Sequence, residues 1–212
     1  MTVVIEVDPN SPGRGVIKRA VGLIASGGSI AYPTDTVYGF GVSALDPDAV
    51  LRVFKVKQRP LSQPIPVAVS DAKMAETLTI FKDEARRLTE AFWPGALTLV
   101  LPRKPLIPMA VTAGRTDLAI RAPGHQVPLQ IIAESMLPLT STSANIHGKP
   151  SCREAAEVLE QLDGQIDLVL DGGRTQGIAS TILDLTGRRP RVLRDGPVTR
   201  EAIARVLGLP IE

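Results

Sequence analysis

Four polar segments of the sequence carry side chains that suit the binding of a small anionic ligand. They are PTDTVYG at 33–39, KVKQRP at 55–60, STSAN at 141–145, and ASTILD at 179–184 with RVLRDG at 191–196. Lys57 and Arg59 suit phosphate groups, because an ammonium is a compact charge and a guanidinium is a planar fork. The hydroxyls of Thr34 and Thr36 suit a small polar ligand, and the small residues of STSAN allow a ligand to approach the backbone closely. The last segment adds the Ser180 hydroxyl and the Arg194 cation.

The sequence lacks the familiar signatures of nucleotide binding and hydrolysis. There is no GxxxxGK[ST] phosphate loop, no GxGxxG, no HExxH and no GxSxG. An enzyme that uses ATP would therefore hold the phosphates by another arrangement. Each segment also has a purely structural interpretation: a turn, a solvated helix end, a turn rich in Ser and Thr, and a surface hairpin with incidental arginines. The residues alone leave both interpretations open.

Hydrophobic periodicity predicts the elements that position these segments. Strands are predicted at 2–7, 30–32, 64–69, 97–101, 118–121, 138–142, 167–170, 181–185 and 191–193. Helices are predicted from the Ser-Pro at 11–12 to the Gly-Gly at 27–28, and at 47–57, 71–77, 82–92, 127–136, 153–162 and 199–207. Pro60 favours an extended backbone at Arg59, which would place Lys57 and Arg59 on one side of the chain. Ser151 and Glu154 have the spacing of a capping box.

The order of these elements predicts the fold class. Strands and helices alternate, and several strand pairs have no helix between them, which indicates a twisted, mixed α/β sheet with helices packed on it. The net charge is +2, and basic residues gather at 52–59 and 188–205. Two distant basic clusters converge on one anion if the fold brings them together, so we expect a basic concave cavity.

The composition fits a single domain over 1–212. Aromatic residues make up 3% of the chain, so the core must be aliphatic. The single cysteine, Cys152, excludes an internal disulfide and fits a reducing cytosol, and two histidines leave little room for a structural zinc site. The N-terminus has no secretory pattern and no run of 18 apolar residues is present. We therefore expect a cytoplasmic protein with no membrane partner.

Taken together, the polar segments resemble the YrdC family of threonylcarbamoyl-adenylate synthases. The resemblance runs from about residue 15 to 200 and rests on PTDTVYG, KxRP at 57–60, WPG at 93–95, RxP at 121–123, STSAN, STxxD at 180–184 and LRxG at 193–196. It implies a YrdC-like fold and a reaction of L-threonine, bicarbonate and ATP that yields threonylcarbamoyl-AMP and pyrophosphate. A downstream threonylcarbamoyl transferase complex would then modify an adenosine beside the anticodon of certain tRNAs.

Position by position, the resemblance implies two sets of site residues. Threonine would be held by Thr36, Arg121, Ser141 and Ser180. ATP would be held by Lys57, Arg59, Gln63, Asp117, Ser143, Asn145, Ser151 and Arg194, with Lys57 and Arg59 as the catalytic residues. Many members have a histidine near position 68, where this chain has Ala68, so one threonine contact is missing or replaced. Longer relatives add a C-terminal domain, and the end of this chain at Glu212 implies the catalytic domain alone.

The implied chemistry requires positioning and positive charge, and it requires no protein nucleophile. Threonine's amine combines with carbon dioxide or bicarbonate, and the carbamate oxygen attacks the α-phosphorus of ATP. Lys57, Arg59 and Arg194 would stabilise the charge that develops, with Mg²⁺ bridging phosphate oxygens and no metal held by the protein. Two alternatives stay open. One is a YrdC-like module that binds double-stranded RNA or tRNA without synthase activity, and the other is an enzyme of this fold with another substrate.

Overall fold

Strands and short helices alternate along the chain in the computed structural model, which describes residues 1–212. The strands are β1 (Val3–Glu6), β2 (Ile30–Tyr32), β3 (Gly39–Gly41), β4 (Val67–Ala68), β5 (Leu97–Pro102), β6 (Asp117–Arg121), β7 (Leu139–Thr140), β8 (Thr142–Ser143), β9 (Leu168–Asp171), β10 (Thr181–Asp184) and β11 (Arg191–Arg194). The helices are α1 (Arg14–Ala25), α2 (Pro47–Lys57), α3 (Ala72–Leu78), α4 (Asp83–Phe92), α5 (Met109–Thr112), α6 (Gln126–Ser135), α7 (Ala155–Leu162) and α8 (Arg200–Leu207).

The strands form two mixed sheets. The first has the order β1-β9-β2-β3-β8, in which β1, β9 and β2 run parallel and the remaining neighbours are antiparallel. The second has the order β11-β10-β5-β6-β4-β7, with parallel pairs β10–β5 and β6–β4 and antiparallel pairs elsewhere. The mixed α/β architecture predicted from the sequence is confirmed, and the structure divides its strands between two sheets.

The STSAN segment crosses from one sheet to the other. β7 ends at Thr140 in the second sheet, and β8 begins at Thr142 in the first. Ser141 stands between them, and its N–H donates to the Pro66 carbonyl over 2.7 Å. The strand predicted at 138–142 is therefore two short strands, and the hydroxyls of this segment lie where the two sheets meet.

Aliphatic side chains fill the interior, as the low aromatic content predicts. Leu97, Leu99 and Leu101 of β5 are at most 2% exposed, and Ile120 and Leu183 on neighbouring strands are fully buried. Helices cover the sheets in pairs, α1 with α6 and α4 with α8. None of the helices combines the length and the apolar character that crossing a bilayer requires.

The ends of α2 explain how the KVKQRP segment turns. The helix occupies the predicted range 47–57, and the Asp46 side chain accepts hydrogen bonds from two N–H groups of the first turn. Its last residue is Lys57, and Gln58 adopts the left-handed conformation with φ 53°. Arg59 lies outside the helix, as Pro60 favours, but Lys57 is still helical, so the strand-like alternation that would place both side chains on one side is absent.

Two other helix starts differ from the prediction. α1 begins at Arg14 behind Gly13, rather than at the Ser-Pro of 11–12, and no side chain caps it. α7 begins at Ala155, and the capping box predicted from Ser151 and Glu154 is absent. The Cys152 carbonyl accepts from the N–H of Tyr38 over 2.9 Å. That bond ties residue 152 to the PTDTVYG segment, so Ser151 stays outside the helix.

Candidate active site

A cavity of about 470 Å³ opens where the two sheets meet. The PTDTVYG loop, the STSAN segment and strands β5, β6, β10 and β11 all contribute to its lining. Most of the residues that the sequence analysis placed in the site line this cavity: Thr36, Arg59, Asp117, Arg121, Ser141, Ser143, Ser151, Ser180 and Arg194. The remaining three, Lys57, Gln63 and Asn145, do not.

Strand alternation aims several of these side chains at the cavity. In β6 the alternate residues Asp117, Ala119 and Arg121 line it, and the residues between them are buried in the core. In β5 the same holds for Thr98 and Val100. Because successive side chains of a strand point to opposite faces, one face of the second sheet serves the site and the other serves the core.

Arg121 is the deepest cation of the cavity, with 9% of its side chain exposed. Its Nε donates to the Gly95 carbonyl over 2.7 Å, its Nη1 to Thr36 Oγ1 over 3.0 Å and its Nη2 to Asp35 Oδ1 over 2.5 Å. Burial lowers the pKa of the guanidinium, and Asp35 acts in the opposite direction. The PTDTVYG, WPG and RxP motifs thus meet at one side chain.

Arg194 is joined to Ser180 by two hydrogen bonds. Its Nε donates to the Ser180 carbonyl over 2.9 Å, and its Nη2 donates to Ser180 Oγ over 3.1 Å. Ser180 Oγ also pairs with Thr98 Oγ1 at 2.8 Å. Burial lowers the pKa of Arg194, and the charge of Arg121 contributes in the same direction. Arg194, which is expected to bind ATP, is therefore in direct contact with Ser180, which is expected to bind threonine.

Arg59 reaches the cavity from the turn after α2. Its Nη2 donates to the Pro64 carbonyl over 2.9 Å, and its Nε lies 3.4 Å from the Gln63 carbonyl. Burial lowers the pKa of this guanidinium. Gln63 meets Arg59 through its backbone, and the structure does not bring the Gln63 side chain to the lining.

Lys57 and Asn145 lie behind the cavity and hold its wall. The Lys57 ammonium, whose residue is 2% exposed, donates to the carbonyls of Ser143 and Asn145, the latter over 2.6 Å. Burial lowers the pKa of Lys57 to about 7, and the charge of Arg59 adds to the effect. The Asn145 amide donates to the carbonyls of Ile146 and Lys149, and Asn145 Oδ1 has no hydrogen-bond partner. Both side chains fix the segment that presents Ser143.

Comparison with known proteins places this geometry in a family. The family model for Sua5, YciO and YrdC, described as "Telomere recombination", matches residues 22–196. The chain belongs to the Sua5/YciO/YrdC family. The threonylcarbamoyl-AMP synthase of Pyrococcus abyssi is 40% identical over 210 residues, which cover 98% of this chain and 62% of the relative. That of Bacillus subtilis is 42% identical over 206 residues, covering 96% of this chain and 59% of the relative.

A solved relative has the same fold. The structure of Pyrococcus abyssi Sua5 complexed with L-threonine matches with a TM-score of 0.95 at 40% identity, and it covers 100% of this chain and 63% of the other. The chain therefore spans about three fifths of the length of these Sua5/YciO/YrdC relatives.

Two polar residues of the cavity, Thr98 and Arg115, were not predicted from the sequence. Thr98 lies within the apolar strand LTLVL, where a single hydroxyl gives no signal until its partner Ser180 is known. Arg115 lines the cavity, and its Nε and Nη2 donate to Oδ1 and Oδ2 of Asp117 over 2.8 and 2.7 Å. Its spacing of two residues from Asp117 at the start of a strand was the available signal.

Ala68 lies beside Arg121, because β4 and β6 pair these two residues in register. It is fully buried and belongs to the same apolar cluster as Tyr32 and Leu139. It does not line the cavity. The histidine contact expected at this position from the family pattern is therefore replaced by apolar packing.

The donor set of the cavity suits a metal ion that arrives with a ligand. No group of three or more His, Cys, Asp or Glu side chains is arranged to hold a metal. The one carboxylate of the lining, Asp117, has both oxygens engaged by Arg115. A Mg²⁺ ion here would therefore depend on phosphate oxygens for its ligands.

Proposed function

We propose that this chain is a nucleotidyltransferase that converts L-threonine, bicarbonate and ATP to threonylcarbamoyl-AMP and pyrophosphate. One observation carries the proposal: all four residues expected to bind threonine and five of the eight expected to bind ATP line one cavity, and the two sets are joined through Arg194 and Ser180. Two relatives that carry the name threonylcarbamoyl-AMP synthase, and a Sua5 structure with bound L-threonine, support it.

The threonine half of the site would be built around Arg121. The guanidinium would bind the substrate carboxylate, since two of its five N–H groups are not used by the chain. Thr36, Ser141 and Ser180 line the same cavity, and their hydroxyls would contact the amine and the side-chain hydroxyl of the substrate. A partner for that hydroxyl disfavours valine, which would leave the partner unsatisfied.

The nucleotide half would use Arg59 and Arg194 for the phosphates. The carbamate oxygen attacks the α-phosphorus, the bond to pyrophosphate breaks, and these cations stabilise the charge on the phosphorus centre and the leaving group. Mg²⁺ carried by the ATP phosphates would neutralise part of the same charge. Val100 and Ala119, which pair in register, form an apolar floor against which the adenine would pack.

The structure suggests a supporting part for Lys57 in place of the direct phosphate contact expected from the sequence. Its ammonium is buried and donates to two carbonyls, so reaching a phosphate would require it to abandon both. We therefore assign the phosphate contacts to Arg59 and Arg194. Lys57, with Asn145, would keep Ser143 in place.

The proposal also includes the extent of the catalytic domain, the cellular compartment and the complex that receives the product. Residues 1–212 would act as one catalytic domain, because the cavity takes its lining from both sheets. The product would pass in the cytoplasm to a threonylcarbamoyl transferase complex that modifies tRNA. The lone buried Cys152 is compatible with that reducing compartment.

The test is pyrophosphate release by the purified protein with ATP, Mg²⁺ and bicarbonate, supplied with each amino acid in turn. We expect release with threonine and at least tenfold less with valine. Arg59→Ala should abolish release, and Arg121→Ala should raise the threonine requirement far more than the ATP requirement. Arg205→Ala, an exposed arginine of α8 outside the cavity, is the matched control and should leave both unchanged.

The outcomes separate this enzyme from its alternatives. Absence of threonine-dependent release would reject the synthase. Absence combined with tight, salt-sensitive binding of tRNA would favour the RNA-binding module, because contacts to phosphodiesters weaken steeply with salt. Release driven by a different amino acid would indicate the same fold acting on another substrate.

A further inference from the structure

We propose that Asp35 is a positioning residue that fixes the Arg121 guanidinium for the amino-acid substrate. The inference rests on the proposed function and goes beyond it, because Asp35 does not line the cavity and would act only through Arg121. The Asp35–Arg121 pair is the most buried of the ion pairs in the structure, with 18% and 9% of the two side chains exposed.

The hydrogen bonds of Arg121 show what Asp35 determines. A guanidinium has five N–H donors in one plane. The Gly95 carbonyl takes the Nε donor, Thr36 takes one donor of Nη1, and Asp35 takes one donor of Nη2. Two donors are left, one on each terminal nitrogen. The three acceptors thus fix the plane of the group and leave one N–H on each terminal nitrogen for a substrate.

Asp35 is the only charged acceptor among these three. Its Oδ1 accepts from Nη2, a nitrogen for which the chain supplies no other acceptor, so Asp35 fixes that side of the group. Gly95 holds the opposite edge through its carbonyl, and its own N–H is bound to the Ala122 carbonyl over 2.9 Å. The guanidinium is therefore held between two anchored segments of the chain.

Gly124 allows three segments of the chain to lie close together around Asp35. A Cβ atom on Gly124 would lie 3.0 Å from Asp35 Oδ2 and 3.3 Å from the Cα atom of Gly95. Only a residue without a side chain allows the PTDTVYG, WPG and RxPG segments to approach this closely. The Asp35 carboxylate therefore lies against Gly124 through Oδ2 while its Oδ1 accepts from Arg121.

Orientation and charge make different predictions for two substitutions. Asp35→Asn keeps an oxygen that can accept from Nη2, and it removes the negative charge. Asp35→Ala removes both. If Asp35 acts by orienting Arg121, the Asn variant should bind threonine within about threefold of wild type, and the Ala variant should lose about tenfold or more. ATP affinity should change by less than twofold in both variants.

The experiment is calorimetric titration of the 212-residue protein with L-threonine and, separately, with ATP and Mg²⁺. Thermal unfolding of each variant is recorded, and Asp35→Ser replaces Asp35→Ala if the latter does not fold. Glu76→Ala is the control, because Glu76 forms an exposed ion pair with Arg86 away from the cavity. The expected result is a loss confined to threonine and largely restored by Asn.

Three results would overturn the inference. Equal losses in the Asn and Ala variants would show that charge, and not orientation, matters. Unchanged threonine affinity in the Ala or Ser variant would show that Arg121 holds its place unaided, and equal loss of threonine and ATP would indicate a general structural defect. If wild type itself binds ATP but no threonine, the proposed function fails first and this inference fails with it.

Discussion

The buried ammonium group of Lys57 should make the free energy of unfolding depend on pH. The side chain ends in the core behind the cavity, and burial lowers its pKa from 10.5 to about 7. Its ammonium also donates to the carbonyls of Ser143 and Asn145, which favours the charged form. The perturbation is Lys57→Met, which keeps most of the apolar stem and removes the charge.

The sign of the pH dependence follows from the lowered pKa. Between about pH 7 and 10.5 the unfolded chain holds a proton on Lys57 that the folded chain has released. The free energy of unfolding of wild type therefore rises with pH in this window, by about 1.4 kcal/mol per pH unit where the folded group is neutral. From pH 6 to 8.5 the rise amounts to about 2 kcal/mol, because the folded group is still titrating near pH 7. The Met variant lacks this contribution.

The assay is urea denaturation of both proteins across pH 6 to 8.5. The quantity compared is the free energy of unfolding of wild type minus that of Lys57→Met, which should increase by about 2 kcal/mol over the range. Lys55→Met, an exposed lysine of the same helical turn, should give a flat difference. A flat difference for Lys57 as well would refute the reasoning, since the two carbonyls would then keep the ammonium charged throughout.

Three further predictions follow from single contacts. Thr98→Val removes the hydroxyl that pairs with Ser180, so the threonine KM should rise about fivefold, whereas Thr98→Ser should not change it. Gly196→Ala would place a Cβ atom 2.4 Å from the Thr181 nitrogen, so the free energy of unfolding, measured by thermal unfolding, should fall by more than about 2 kcal/mol. Gly187→Ala is the control and should change it little, because the nearest atom to the added Cβ lies at 3.6 Å. Burial raises the pKa of Cys152 from 9.0 to about 11, so the unfolded thiol ionises first. The free energy of unfolding should fall by about 2 kcal/mol between pH 9 and 11, and Cys152→Ala should lack that part of the fall.

Long periodic elements could be predicted from the sequence, and elements set by a single contact could not. The range of α2 was predicted because Asp46, Pro47 and the apolar spacing agree. β3 was missed because Gly-Phe-Gly has little strand propensity. Its glycines are needed because the Tyr32 ring lies across them, within 2.8 Å of where a Cβ on Gly39 would stand. That reason is visible only once β2 and β3 are paired.

The same distinction holds for the site: residues within motifs could be predicted, and roles that depend on a distant contact could not. Most of the site residues predicted from the motifs do line the cavity, because several of the motifs lie at or beside the ends of strands. The contacts of Lys57 were not predictable, since its carbonyl partners on Ser143 and Asn145 lie 86 and 88 residues further along the chain. Thr98 was missed for a related reason, since its partner Ser180 lies 82 residues away. Arg115 was missed although its partner Asp117 is only two residues away.

The arrangement of the arginines bears on how the proposed chemistry gains its rate. Arg59, Arg121 and Arg194 are each held by acceptors of the chain itself, so their donors need little reorganisation to meet a substrate. Arg194 touches Ser180, so the two halves of the site lie within the reach of one side chain. A carbamate formed on threonine would then lie close to the α-phosphorus without a movement of the sheets. Proximity of this kind is worth several powers of ten in rate. This proximity explains how a cavity lined by hydroxyls and cations, with no cysteine or histidine, would support the proposed reaction without a protein nucleophile.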